Sequence, residues 1–262
     1  FQRDLSVSLN NIADIRRRSD PVGALALYDE SMRIFRRLAQ REPDNSEFQR
    51  DLSVSLNNIA DIRLRSDPVG ALALYDEGLG IRRTLAGREP DNSGFQRDLS
   101  VSLDNIADIR RRSDPAGALA LYDESLGIAR TLAQREPDNS GFQRDLSVSL
   151  DNIADIRLRS DPAGALALYD ESLGIRRTLT QREPDNSEFQ TDVVVSLFKT
   201  AQTGVRAEAR LSEALAILTG LNASGRLSSD QQGWIGAIQD ALRAARGQGV
   251  SSGAATKRNG TP

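Results

Sequence analysis

FQRDLSVSLNNIADIRLRSDPVGALALYDEGLGIRRTLAGREPDNSG, residues 48–94, is one of four consecutive 47-residue blocks, which open at Phe1, Phe48, Phe95 and Phe142. The third and fourth blocks differ only at Arg111/Leu158, Ala129/Arg176, Ala133/Thr180 and Gly141/Glu188. A fixed period of this size marks an array of supersecondary units, because one unit cannot bury its apolar face alone. Within the quoted block, Phe48, Leu52, Leu56, Ile59, Ala60 and Ile62 recur at helical spacing. They predict a first helix that ends near Arg63 and Arg65, cations suited to the carbonyl end of the helix dipole. Ser46 and Gln49 have the spacing of a capping box at its start. Asp67 suits the N-cap and Pro68 the first position of a second helix. That helix presents Ala71, Leu72, Leu74, Tyr75, Leu79, Ile81 and Leu85 until Pro90 stops the pattern. No sustained alternation predicts a strand. The reading is an all-α array of antiparallel helical hairpins.

Small residues sit on the apolar faces with the large ones. Ala13, Ala60, Ala107 and Ala154 fall on the first helices, and Ala24, Ala71, Ala118 and Ala165 on the second. Alanine at such a contact lets two helix axes approach towards the short end of the ~8–10 Å range. Gly78, Gly80, Gly127 and Gly174 weaken the second helices by about 1 kcal/mol each, which tertiary packing must offset.

Composition removes several function classes. The net charge of −3 gives no clustered positive excess for nucleic acid or an anionic membrane surface. Cysteine and histidine are both absent, which removes disulfides, a thiol nucleophile and the commonest general base and metal ligand. No apolar run approaches the roughly 20 residues of a membrane span, and no secretory signal is apparent. A cytoplasmic setting is the default expectation. Nothing implies a cofactor, and carboxylate neighbours such as Asp29 and Glu30 diverge on a helix without forming a pocket. The chain reads as non-enzymatic.

Leu9-Asn10-Asn11-Ile12-Ala13-Asp14, followed by Ala24-Leu25-Ala26-Leu27-Tyr28, resembles the tetratricopeptide repeat (TPR) signature. Leu9 stands for the usual tryptophan, Ile12 and Ala13 for the Leu-Gly pair, Ala24 and Tyr28 for the alanine and aromatic positions, and Ser31 for the third small position. The long second helix and the SLNNIA phrase are most similar to kinesin-light-chain-like and related bacterial arrays. The resemblance spans residues 1–188. Two departures stand out: Arg16, Arg63, Arg110 and Arg157 occupy the place of a common tyrosine, and the closing proline falls late, at Pro43. It implies a right-handed α-solenoid whose repeats are 1–47, 48–94, 95–141 and 142–188.

After Phe189 the pattern decays. Phe189, Val193, Leu197 and Ala201 keep the first-helix register, and Ala214, Leu215, Ile217 and Leu218 echo the second. Residues 189–226 read as a degenerate fifth repeat. Ser228 and Gln231 suggest a capping box before Trp234, Ile235, Ile238, Ala241, Leu242 and Ala245, the apolar stripe of a capping helix over 227–246. Trp234 is expected in the core under that cap. Residues 247–262 lack apolar periodicity and are expected to be disordered. Phe1 stands inside a first helix without its capping turn, so a further segment upstream is expected, and the uncapped N-terminal face makes self-association an option.

In the resembled family, first helices line the concave surface. Carried across, the groove positions are Asn10, Asn11, Asp14 and Arg17; Asn57, Asn58, Asp61 and Leu64; Asp104, Asn105, Asp108 and Arg111; and Asp151, Asn152, Asp155 and Leu158. The candidate site is the column Asn11, Asn58, Asn105 and Asn152 with the column Asp14, Asp61, Asp108 and Asp155. A primary amide offers both a donor and an acceptor, which matches the one of each that a peptide backbone carries per residue. The aspartates would favour a ligand bearing Lys or Arg. Near-identical repeats produce columns of every residue type, so inter-repeat hydrogen bonds and ion pairs with Arg16 or Arg17 stay open as the alternative. The family's carboxylate-clamping mode does not fit, because lysine occurs only at Lys199 and Lys257 and Asp14 and its equivalents would repel a carboxylate. The sequence therefore points to a scaffold that binds a peptide segment of a partner protein; the alternative is a structural spacer or self-assembly module attached to an upstream effector or sensor domain.

Overall fold

The computed structural model describes residues 1–256, with side chains to 247, and every regular element in that range is a helix. The order is α1 (Gln2–Arg16), α2 (Pro21–Arg41), α3 (Ser46–Arg63), α4 (Pro68–Arg88), α5 (Ser93–Arg110), α6 (Pro115–Arg135), α7 (Ser140–Arg157), α8 (Pro162–Arg182), α9 (Ser187–Ala201), α10 (Ala207–Ala223) and α11 (Ser229–Thr256). The chain divides into two compact units, Phe1–Ile128 and the part from Ala129 onward, with the division inside α6.

The second helices start as the sequence predicts. Asp20, Asp67 and Asp161 are N-caps that accept from the amides of Gly23, Gly70 and Gly164, with proline at the first helical position. A Cβ at Gly70 would crowd the capping carboxylate of Asp67, which would have to shift. The first helices differ from expectation. Asn45, not Ser46, is the N-cap of α3, and its Oδ1 accepts from Phe48 N at 3.3 Å. Gln49 reaches back instead, donating to the carbonyls of Ala39 at 3.4 Å and Pro43 at 3.3 Å, groups left open where α2 ends. Ser46 is freed by this arrangement and donates to Glu89 at 2.8 Å.

All eight seam alanines are fully buried. In the first unit, Ile34, Phe35, Leu38 and Ala39 of α2 pack with Leu52 and Leu56 of α3. Ile59 closes over Ala13, Ala24 and Tyr28, and Tyr75, Leu79 and Ala86 of α4 meet Leu99, Leu103 and Ile106 of α5. In this unit α2 and α4 each serve their own hairpin and the next.

In the second unit, Leu173, Val193, Val194, Leu197, Leu211 and Leu218 form one core with Ile238 and Leu242 of α11. The capping box before α11 is present: Ser228 N donates to Gln231 Oε1 at 3.0 Å and Gln231 N to Ser228 Oγ at 3.3 Å. Gly225, at φ +68°, closes α10 with Arg226 N donating to Leu221 O at 2.9 Å. The helix that follows runs to Thr256, past position 246 where the sequence predicted its end. Residues 247–256 contain no proline, so nothing interrupts the backbone ladder begun by the packed segment. The rest of the expected disordered tail, 257–262, lies outside the described residues.

Candidate functional site

The site columns lie on the first helices about one turn apart, and their environments differ sharply from those of their sequence neighbours. Asn11 and Asn105 are exposed and Asn58 half-buried in the first unit; Asn152 is half-buried in the second. Among the described residues none of these four side chains has a hydrogen-bond partner, although their primary amides could make several bonds. The neighbouring register behaves otherwise. Asn57 and Asp151 are buried, and Asn10 turns to Ser55, to which its amide donates at 3.4 Å. These positions were expected to face a ligand. One residue is a turn of about 100° on a helix, and that turn carries them into the joint between helices.

The aspartates have a partner within their own hairpin. Tyr122 donates to Asp108 Oδ1 at 2.7 Å and Tyr169 to Asp155 Oδ1 at 2.5 Å; Tyr28 pairs with Asp14 and Tyr75 with Asp61 in the same way. Burial first, and the adjacent carboxylate second, push each tyrosine hydroxyl well above its ordinary pKa. Asp61 also meets Arg17 at 3.5 Å, and Asp155 meets Lys199 at 2.9 Å. The aspartate column is therefore exposed and charged, but each member has one oxygen committed to the fold.

Sequence reasoning missed two buried arginines. Arg176 donates to Ser147 Oγ at 3.0 Å, Ser196 Oγ at 2.7 Å and Asp192 O at 3.1 Å, and it pairs with buried Asp151 at 3.0 Å. Burial raises the Asp151 carboxyl despite the opposing pull of Arg176 and Lys199. Arg82 makes the corresponding bonds to Ser53 at 3.1 Å, Asp98 O at 3.1 Å and Ser102, and burial lowers its pKa. The signal was the register Phe35, Arg82, Ala129 and Arg176, a core position where a charge alternates with an apolar side chain.

In the second unit the face of α7 leads onto α9. Phe198, Lys199 and Gln202 take the registers of Asp151, Asn152 and Asp155, and Lys199 reaches Asp155 across the two helices. Beside Lys199, Val194, Val195, Phe198, Trp234, Ala237 and Ile238 line a cleft of about 290 Å³. Trp234 is half-buried: it packs on the core under α11 and also walls this cleft.

Paired helices, alanine seams and a polar first-helix face define a helical-hairpin repeat protein with the TPR fold. No protein-family model matches the chain, and no curated protein sequence does either. Among solved structures, the chain is similar to TTC0263, a thermophilic TPR protein of Thermus thermophilus, with 16% identity over 89% of this chain and 98% of that one and a TM-score of 0.53. Looser likenesses include the MamA RS-1 ArsTM double mutant (12% identity, 84% and 98% coverage, TM-score 0.47). Another is a tetratricopeptide repeat protein of Parabacteroides merdae ATCC 43184 (13% identity, 93% and 99% coverage, TM-score 0.30). Among the described residues no helix is long and apolar enough to cross a membrane.

Proposed function

We propose that the chain is a non-enzymatic interaction scaffold that holds an extended segment of a partner protein along its first helices. In the first unit Asn11, Asn58 and Asn105 provide the rungs, and in the second Asn152 takes the same register. The observation that carries this reading is their lack of any side-chain partner, beside neighbours that are hydrogen-bonded or buried. Asn11 and Asn105 are exposed and Asn58 and Asn152 half-exposed, with the donor and acceptor of each amide unused by the fold. Asp14, Asp61, Asp108 and Asp155 add negative charge beside the rungs and favour segments bearing Lys or Arg.

The test is selection of extended peptides on the intact chain, followed by affinity measurement on the Asn58→Ala/Asn105→Ala variant. Loss of two amides that each grip the peptide backbone weakens binding by at least about tenfold, with helicity unchanged. Undiminished affinity in that variant would remove the asparagines from the site.

A second reading is self-association through the face of α1. Leu5 is 43% exposed where Leu52 is 6%, and Ile12 is 44% exposed where Ile59 is fully buried. Sedimentation over a concentration series decides it: a dimer abolished by Ile12→Asp supports the reading, and a monomer at all concentrations ends it.

A further inference from the structure

The cleft beside Trp234 stands out because it is the apolar end of a polar face. Along α7 the exposed register carries Asn152 and Asp155; one first helix on, the same register carries Lys199 and Gln202, with Phe198 in place of Asp151. Lys199 Nζ sits 2.9 Å from Asp155 Oδ2 and 3.8 Å from Asp151 Oδ2, so the two faces are physically continuous. That pairing also neutralises the lysine at the rim, which makes it a poor receiver for a ligand carboxylate. The walls are apolar: Val194, Val195, Phe198, Trp234 and Ile238. A half-buried Trp and Phe facing a concave space form the kind of apolar surface that marks a binding site.

We propose that this cleft receives one large apolar side chain, such as Phe, Leu or Met, of the extended segment held beside Asn152. The occupant is a peptide side chain because the cleft adjoins Lys199, whose pairing with Asp155 joins it to the face that carries Asn152, and its volume of about 290 Å³ is ample for one large apolar side chain. The anchor supplies side-chain selectivity, which backbone-gripping amides cannot. This rests on the peptide-binding reading above, and it deepens that reading by naming the ligand's required residue.

Trp234 is the sole tryptophan, so its emission reports on the cleft directly. The probes are an acetylated, amidated Ser/Gly heptapeptide with one central Phe and its twin with Ser there. The Phe peptide is expected to saturate a change in Trp234 emission at least about tenfold more tightly than its twin. Ala237→Phe, on the exposed side of α11 at the cleft, plugs the space and removes that preference while helicity stays unchanged. Asn152→Ala weakens both peptides alike and leaves the preference intact. Equal affinity for the two peptides, or a Phe preference that survives Ala237→Phe, overturns the cleft assignment. A Phe preference that persists while Asn152→Ala changes neither affinity keeps the cleft and overturns the asparagine reading instead.

Discussion

Tyr122 donates its hydroxyl to Asp108 across 2.7 Å, tying the second helix of a hairpin to the exposed polar face of the first. The same pairing recurs at Tyr28 and Asp14, Tyr75 and Asp61, and Tyr169 and Asp155. A residue that faces solvent as part of a candidate site is thus positioned by a buried ring. Tyr122→Phe keeps the ring and deletes the bond. It should destabilise by about 1.5–3 kcal/mol, the range for hydrogen bonds to charged groups, as read by urea denaturation; no measurable change would mean the bond is replaced by water without loss.

These tyrosines also set the response to alkali. A hydroxyl whose pKa is raised on folding favours the folded state fully below its unfolded value of about 10, relative to the ionised chain, and the fold is penalised as pH climbs from there towards the folded value, because the unfolded chain can release a proton that the folded one holds. All four are raised, and little else titrates there, since cysteine is absent and lysine occurs only twice. Above pH ~10, stability should fall by up to about 1.4 kcal/mol per pH unit for each tyrosine. Replacing Tyr75 and Tyr122 by Phe should shallow that slope; an unchanged slope would assign the transition to other groups.

Two glycines ten residues apart in α4 should answer alanine with opposite signs. Gly80 has open space where a Cβ would go, so Gly80→Ala should stabilise by about 1 kcal/mol through helix propensity. Gly70 donates its amide to the Asp67 cap at 2.9 Å, and a Cβ there would meet that carboxylate. Gly70→Ala should cost about 1 kcal/mol through loss of the cap. Thermal denaturation of the pair separates the two cases, and shifts of the same sign would refute the argument.

Asp151 and Arg176 are paired while nearly sealed from water. Asp151→Ala should cost about 3–5 kcal/mol because a buried guanidinium loses its counter-charge. Asp151→Leu with Arg176→Met should recover most of that loss, since an apolar pair of similar volume needs no desolvation. A double variant as unstable as the single one would show that the bonds of Arg176 to Ser147 and Ser196 dominate.

The seam alanines offer a packing test. Ala107 is fully buried, and Ala107→Leu should cost about 1–3 kcal/mol by overpacking; a smaller loss in denaturant midpoint would reveal slack in the joint.

Much of this was legible from spacing. The hairpins, the Asp-Pro caps, the alanine seams and the Ser228–Gln231 box all depend on residues close in sequence, where helix geometry converts spacing into position. What was misread depended on neighbours distant in sequence. Ser46 gave way to Asn45 as the cap because Gln49 found open carbonyls on the helix before it. Asn10 and Asn57 went into the joint although Asn11 and Asn58, one position on, did not. The division of labour at Asp108 became visible only with Tyr122 beside it.

The sequence by itself determined that this protein is an array of paired helices, since a repeated apolar stripe at helical period can be buried only by stacking one hairpin on the next. Only the tertiary structure decided which polar side chains are spent inside that stack and which remain open. Asn58 and Asn57 are the same residue type one position apart, and a turn of about 100° around the helix axis leaves one half-exposed and buries the other.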